Sequence, residues 1–191
     1  MRGYLSDAET NMKKVLFILG ELADSDVEWL IRRGKRRTVP QGAILVQEGK
    51  PIESLFIVVD GQFSVTLQAL NNREIARIGA GEILGEISVI DSRPPSATVT
   101  ARLESRVLEI ARPDLLKALQ TDTGFAARFY RAMAVFLADR LRGTIGVLGY
   151  GASTHLEEDK EYQDEIDTAV LDQVSLAGAR FETILRRLRA G

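Results

Sequence analysis

The order of apolar and polar positions divides this chain into three textures. Val15, Leu16, Ile18 and Leu19 begin an apolar helical face. Ser25 and Glu28 then have the spacing of a capping box ahead of V-E-W-L-I-R-R, and Gly34 is placed to end that helix. Helices are therefore expected over 12–34, with Trp29 packing them on the body of the domain. Residues 1–11 are polar and expected to be loose or weakly helical.

After Gly34 the period shortens. Val39-Pro40-Gln41-Gly42 reads as a turn, followed by a short strand A-I-L-V-Q, and Gly49-Lys50-Pro51 makes a corner before L-F-I-V-V-D. Asp60-Gly61 reads as a hairpin turn into Q-F-S-V-T-L-Q. There Phe63, Val65 and Leu67 alternate with Gln62, Ser64, Thr66 and Gln68, so one face is buried and the other wet. Asn71-Asn72 marks a second hairpin, and E-I-A-R-I continues the sheet. Ala97, Val99 and Ala101 alternate with Thr98 and Thr100, and S-R-V-L-E-I-A gives one more strand. Short strands punctuated by glycine indicate a small antiparallel roll or barrel over about 36–112.

From Pro113 the period becomes helical again. A short helix is expected to end near Gln120, and a longer one carries Phe125, Phe129, Met133, Phe136 or Leu137, Leu141, Ile145 and Leu148 on one stripe. That stripe reads as core or dimer seam. Gly146, Gly149, Gly151 and Ser153 read as a linker, continued by seven acidic positions within 157–167. Ile166, Val170, Val174, Ala177, Phe181, Ile184 or Leu185, and Leu188 then line a last amphipathic helix. Its acidic start and its Arg180, Arg186, Arg187 and Arg189 suit the helix dipole. The expected organisation is thus a domain over 1–147, an acidic linker over 148–165 and an amphipathic helix over 166–191.

Composition narrows the chemistry. A net charge of −2 over 191 residues supplies no basic field for nucleic acid. With no cysteine there is no disulfide, thiolate site or Cys nucleophile. The one histidine, His155, lies in the linker, so no metal centre is expected, and no nucleophile–base pair stands out: the chain reads as a non-enzyme. The apolar run after Lys13-Lys14 is about six residues, too short for a signal-peptide core or a membrane span. A cytoplasmic protein without a membrane contact is expected.

The most informative stretch is Leu84 to Ala101, L-G-E-I-S-V-I-D-S-R-P-P-S-A-T-V-T-A. A loop that shows backbone N–H groups beside a carboxylate suits a phosphorylated sugar. The glycine admits the backbone, the amides meet phosphate oxygens, and the carboxylate accepts from hydroxyls.

Over about 15–147 the chain resembles the cyclic nucleotide-binding domain family, found in catabolite-activator-type regulators and in regulatory subunits of cyclic-nucleotide-dependent kinases. The resemblance rests on Gly49 in Q-E-G, Gly61 in F-I-V-V-D-G, Gly81 and Gly85 in I-G-A-G-E-I-L-G-E, and the A-T-V-T-A strand. It implies an α+β, mainly β fold: an antiparallel β-roll (a jelly roll, or double-stranded β-helix) flanked by N-terminal helices and a long C-terminal helix. An extra C-terminal amphipathic helix follows. It also implies a ligand site at Gly85, Glu86, Ile87, Ser88, Ser96 and Ala97. Glu86 stands for the family's ribose-binding glutamate, and Ile87 and Ser88 for backbone donors. The cassette arginine is replaced by Pro95, which has neither charge nor donor. Arg93, two residues earlier, is the candidate to replace it, and Arg140 on the long helix is the candidate to reach the pocket mouth.

The implied role is a sensor for cyclic AMP, cyclic GMP or a related small molecule, with altered or weak cyclic AMP affinity, signalling through the C-terminal helices. A degenerate, ligand-free dimerisation or docking module is the alternative, and it requires a filled pocket. A transcription regulator stands third, because no helix-turn-helix is visible after Gly151. The expected partners are a second copy through the long helix and a protein for the C-terminal helix. Nucleic acid is not expected.

Overall fold

Six consecutive buried residues, Ser54 to Val59, set the layering of the molecule. The computed structural model describes residues 20–149 and, further on, 178–180, 182, 183 and 186. Strand β3 (Ser54–Asp60) is apolar from Leu55 to Val59 because both of its faces are covered there. Leu55, Ile57 and Val59 join one hydrophobic cluster with the helices, whereas Phe56 and Val58 join a second cluster between two sheets. Period-two geometry is enough to feed two cores from one strand.

The other strands are β1 (Lys35–Val39), β2 (Ile44–Val46), β4 (Gln62–Leu67), β5 (Arg73–Gly79), β6 (Ile83–Leu84), β7 (Thr98–Ala101) and β8 (Ser105–Ala111). They form two four-stranded sheets in the orders β1-β8-β3-β6 and β2-β7-β4-β5, with every pairing antiparallel. Helix α1 (Asp24–Arg33) precedes the roll. Helix α2 (Glu86–Asp91) interrupts it, and α3 (Arg112–Thr121) and α4 (Thr123–Gly149) follow it. The α+β, mainly β roll is therefore present. No helix among the described residues is long and apolar enough to cross a membrane.

Three sequence expectations need correction. Asp60-Gly61 is not a hairpin: β3 and β4 lie in different sheets, and the chain crosses between them at this point. Gly61 has φ 106°, and a Cβ there would lie 2.1 Å from Ser105 Oγ, where the β7–β8 connection makes the reverse crossing. The buried Ser105 hydroxyl accepts from Gln62 N–H (3.2 Å) and donates to the Leu103 carbonyl (2.9 Å), joining the two crossings. Asn71-Asn72, by contrast, does turn β4 into β5, both residues being left-handed.

The second correction concerns the start of α1. Ser25 and Glu28 lie within the helix, and it is Asp26 whose carboxylate accepts from the Ala23 N–H at 2.8 Å. Asp26 is needed there because it also receives two hydrogen bonds from Arg128 of α4, at 2.6 and 2.9 Å. Third, α4 continues through Gly146 to Gly149, so those two glycines are helical and not linker. In addition, β1 escaped the sequence reading, since Lys35, Arg36 and Arg37 conceal an edge strand. The expectations for residues 1–19, including the apolar face from Val15 to Leu19, for most of the acidic linker and for most of 166–191 lie outside the described residues.

Helix α4 covers the helical cluster with Phe125, Phe129, Ala132, Met133 and Phe136. Trp29 packs at 5.5 Å from the Phe125 ring, as expected of a packing residue. In the C-terminal segment Arg180 docks on α1, donating to Asp24 at 2.7 Å and to the Gly20 carbonyl at 3.3 Å.

Two consequences are measurable. Gly61→Ala should lower stability by about 2 kcal/mol or more, through a left-handed backbone and a clash at Ser105. An unchanged urea midpoint would contradict the crossing geometry. For Asp26, burial alone would raise the pKa. The Arg128 and Ala23 hydrogen bonds, with the charges of Arg128 and Arg180, outweigh burial and hold it below the ordinary value. A depressed carboxylate stabilises the fold above its unfolded pKa and loses that contribution as pH falls through the folded value. Asp26→Asn should therefore cost about 1–3 kcal/mol at neutral pH, with the deficit shrinking below roughly pH 4. Urea denaturation at both pH values checks this, and an equal deficit at each would contradict it.

Candidate functional site

The site is built where β6 ends. Gly85 takes φ 84°, and a Cβ at that position would lie 2.7 Å from the Ser54 carbonyl oxygen. Only glycine both turns left-handed and lets the chain stack this closely on β3. The turn starts α2, whose first residue, Glu86, is 2% exposed. Ser92, at φ 60°, closes that helix, and the Ser88 hydroxyl donates to the Arg93 carbonyl at 2.8 Å. The corner that follows is pinned across the roll by the Gly49 N–H, which donates to the Pro95 carbonyl at 2.9 Å.

These elements enclose a cleft of about 190 Å³. Its floor is apolar, with Val46, Val65, Ile75, Ile78 and Val99 from the β2-β7-β4-β5 sheet. Its rim holds Gly85 from the turn, Glu86, Ile87 and Ser88 from α2, Pro95, Ser96 and Ala97 from the corner, and Arg140 from α4. Seven of the eight sequence candidates therefore converge on one cleft. Arg93 does not. Its side chain is 84% exposed and 3.8 Å from the Asp91 carboxylate, because the left-handed Ser92 and the two following prolines turn it outward. It is not available to replace the cassette arginine.

Arg140 enters the cleft from the long helix and pairs with Glu86, Nη1 donating to Glu86 Oε1. A second, longer contact runs from Nη2 to the Ile83 carbonyl at 3.5 Å. The guanidinium lies 4.7 Å over the Phe136 ring, so a cation–π contact also supports its aim. Burial raises the pKa of Glu86. The charge of Arg140 opposes that shift and Glu82 adds to it, and the net direction is upward. Glu82, itself buried, accepts from the Gly79 N–H at 3.2 Å.

Sequence reasoning placed Glu86 and Arg140 in the site separately and missed that they bind each other. No local signal links residues so far apart in the chain. It also missed the apolar floor, although the alternation in β4 points Val65 inward. Among the described residues no group of His, Cys, Asp or Glu is arranged to hold a metal ion. The arrangement suits reversible binding of a small, partly apolar molecule carrying a few polar groups.

Comparison with known proteins gives the same picture. The family model for the cyclic nucleotide-binding domain matches residues 36–122. The chain is 30% identical over 132 residues to an uncharacterized NTE family protein of Mycobacterium tuberculosis, covering 69% of this chain and 22% of that protein. It is 29% identical over 123 residues to the cyclic AMP receptor protein of Thermus thermophilus, covering 63% of this chain and 55% of that one. These alignments thus span between about a fifth and about half of the relatives' own length, 22% and 55%. Among solved structures, a cyclic nucleotide-binding domain from Methylobacillus flagellatus shares the fold at TM-score 0.66 and 23% identity, over 81% of this chain and 92% of that one. The N-terminal domain of a transcriptional regulator from Streptomyces coelicolor superposes at TM-score 0.53 and 29% identity, over 70% and 91%. With the eight-stranded roll and the turn at Gly85 lying almost wholly within the matched residues, 36–122 of this chain form a domain of the cyclic nucleotide-binding family.

Proposed function

We propose that this chain is a non-enzymatic regulatory sensor whose cleft takes a nucleotide-like small molecule, with cyclic AMP affinity weakened by Pro95. The observation that carries this reading is the open cleft beside Glu86. A degenerate docking module requires Pro95 and its neighbours to fill that space, and they line it instead. At about 190 Å³ the cleft is smaller than the roughly 300–1,000 Å³ usual for small-molecule sites. A nucleotide-sized occupant therefore needs α4 to yield at Arg140.

That movement has a route outward. Arg128, on the same helix as Arg140, holds Asp26 of α1, and Asp24 of α1 holds Arg180 of the C-terminal segment. A ligand that contacts α4 differently in two positions would bias both contacts.

A second copy is the proposed partner. Tyr130 (44% exposed), Ala134, Leu137 and Leu141 (60% exposed) fall on one stripe of α4, at the spacing of a helix seam. Leu141→Glu should convert a dimer into a monomer in sedimentation equilibrium, and a wild-type monomer at micromolar concentration would remove this partner.

Restoring the missing cation tests the ligand reading. A charge-assisted hydrogen bond contributes about 1.5–3 kcal/mol, or roughly tenfold to over a hundredfold in affinity. Pro95→Arg should thus strengthen cyclic AMP or cyclic GMP binding by about that factor in calorimetry. No binding to either protein at millimolar nucleotide would sink the cyclic-nucleotide reading.

A further inference from the structure

We propose that Arg140 is the anion receptor of the cleft: it exchanges Glu86 for the phosphate or carboxylate of a small molecule with an apolar body, and Glu86 takes up a proton. This rests on the cleft being a small-molecule site, as set out above, and adds which charge the site recognises and what that recognition does to its own carboxylate.

The cleft decides the first half by elimination. Among the described residues that line it, Arg140 is the one cation. Arg93 points away and Pro95 has no donor to offer. A guanidinium presents five N–H donors in a planar fork that matches phosphate and carboxylate geometry. The Phe136 ring, 4.7 Å beneath it, keeps that fork aimed at the rim when the carboxylate partner changes. The apolar floor from Val46 to Val99 supplies a surface for the uncharged body of the ligand.

The second half follows from charge balance. Glu86 is 2% exposed, and the charged groups that face it are Arg140 from α4 and Glu82 from the turn before β6. Arg140 offsets its burial and Glu82 aggravates it. Once Arg140 turns to a ligand anion, Glu86 keeps the burial and the repulsion from Glu82, and gains a second negative neighbour. Protonation relieves all three. One O–H bond forms on the Glu86 carboxylate and one breaks in hydronium or buffer acid, as a proton enters with the anion; no other bond changes. Affinity for an anion should then rise as pH falls, by at most about tenfold per pH unit for one proton.

The test uses cyclic AMP and cyclic GMP as organic phosphodiesters and inorganic phosphate as a bare anion, each titrated to millimolar concentration. The Arg140 Nε–H resonance reports where the anion lands, and calorimetry from roughly pH 5.5 to 7.5 reports the proton. At least one probe should shift that resonance. Arg140→Gln should weaken its binding about tenfold or more, with Arg140→Lys in between. Glu86→Gln, which mimics the protonated carboxyl and whose folding is checked by thermal melting, should bind the cyclic nucleotides with no pH slope. Silence of the Arg140 resonance toward every probe overturns the inference, as does an affinity unchanged in Arg140→Gln. Cyclic nucleotide binding that survives Arg140→Gln removes this inference and leaves the sensor reading standing. Phosphate binding at Arg140 without nucleotide binding does the reverse.

Discussion

Glu86 and Arg140 form an ion pair between the roll and the long helix, and the proposed sensing mechanism turns on it. The carboxylate is almost completely buried, the guanidinium about one-third exposed. Removing either partner from such a pair costs roughly 2–4 kcal/mol, less than for two fully buried charges, and most of that cost is the orphaned charge. The pair contributes little net stability as it stands. Its effect is positional: it fixes α4 against α2 at the rim of the cleft. Twelve residues earlier on α4, Arg128 grips Asp26 of α1. At about 1.5 Å per residue the two anchors lie some 18 Å apart along one helix, so release at the cleft leaves α4 held at its other end. In the proposed sensor, α1 with its Arg180 contact is the neighbour to which α4 passes a change at the cleft.

The roll itself is indifferent to the ligand question. Its two hydrophobic clusters are fed by both faces of β3 and β8, and neither contains a charged cleft residue. Pro95 is tolerated because the corner is held by its carbonyl, through Gly49, and that bond does not involve the atom that proline lacks. The frame of a cyclic nucleotide-binding domain is therefore complete while the cationic half of its usual site is missing. The charge in the cleft comes from another element, α4, which packs on the roll through Phe129, Met133 and Phe136.

Much of the fold was legible in sequence because it rests on local rules. Alternation placed Phe63 and Val65 inward, Asn71-Asn72 turned a hairpin, and the glycines at 49, 61, 81 and 85 take positive φ. The failures come from contacts between distant residues. Asp60-Gly61 has hairpin composition but serves a crossing between sheets, because Ser105 approaches it from 43 residues away, as the Gln62–Ser105 bond shows. Asp26 outcompetes Glu28 for the helix start because Arg128 needs it. Three cations hide β1, whose pairing to β8 overrides propensity. The site followed the same division. Gly85, Glu86, Ser88, Ser96 and Ala97 come from one stretch and converge, whereas the partner of Arg140 lies 54 residues away.

A crystal structure of the protein grown with cyclic AMP tests the central claim most directly. Density for the nucleotide in the cleft, with the Arg140 guanidinium moved from Glu86 to the phosphodiester and the purine against Val65 or Val99, is the expected result. An intact Glu86–Arg140 pair, with the cleft empty or the phosphate bound elsewhere, would contradict it.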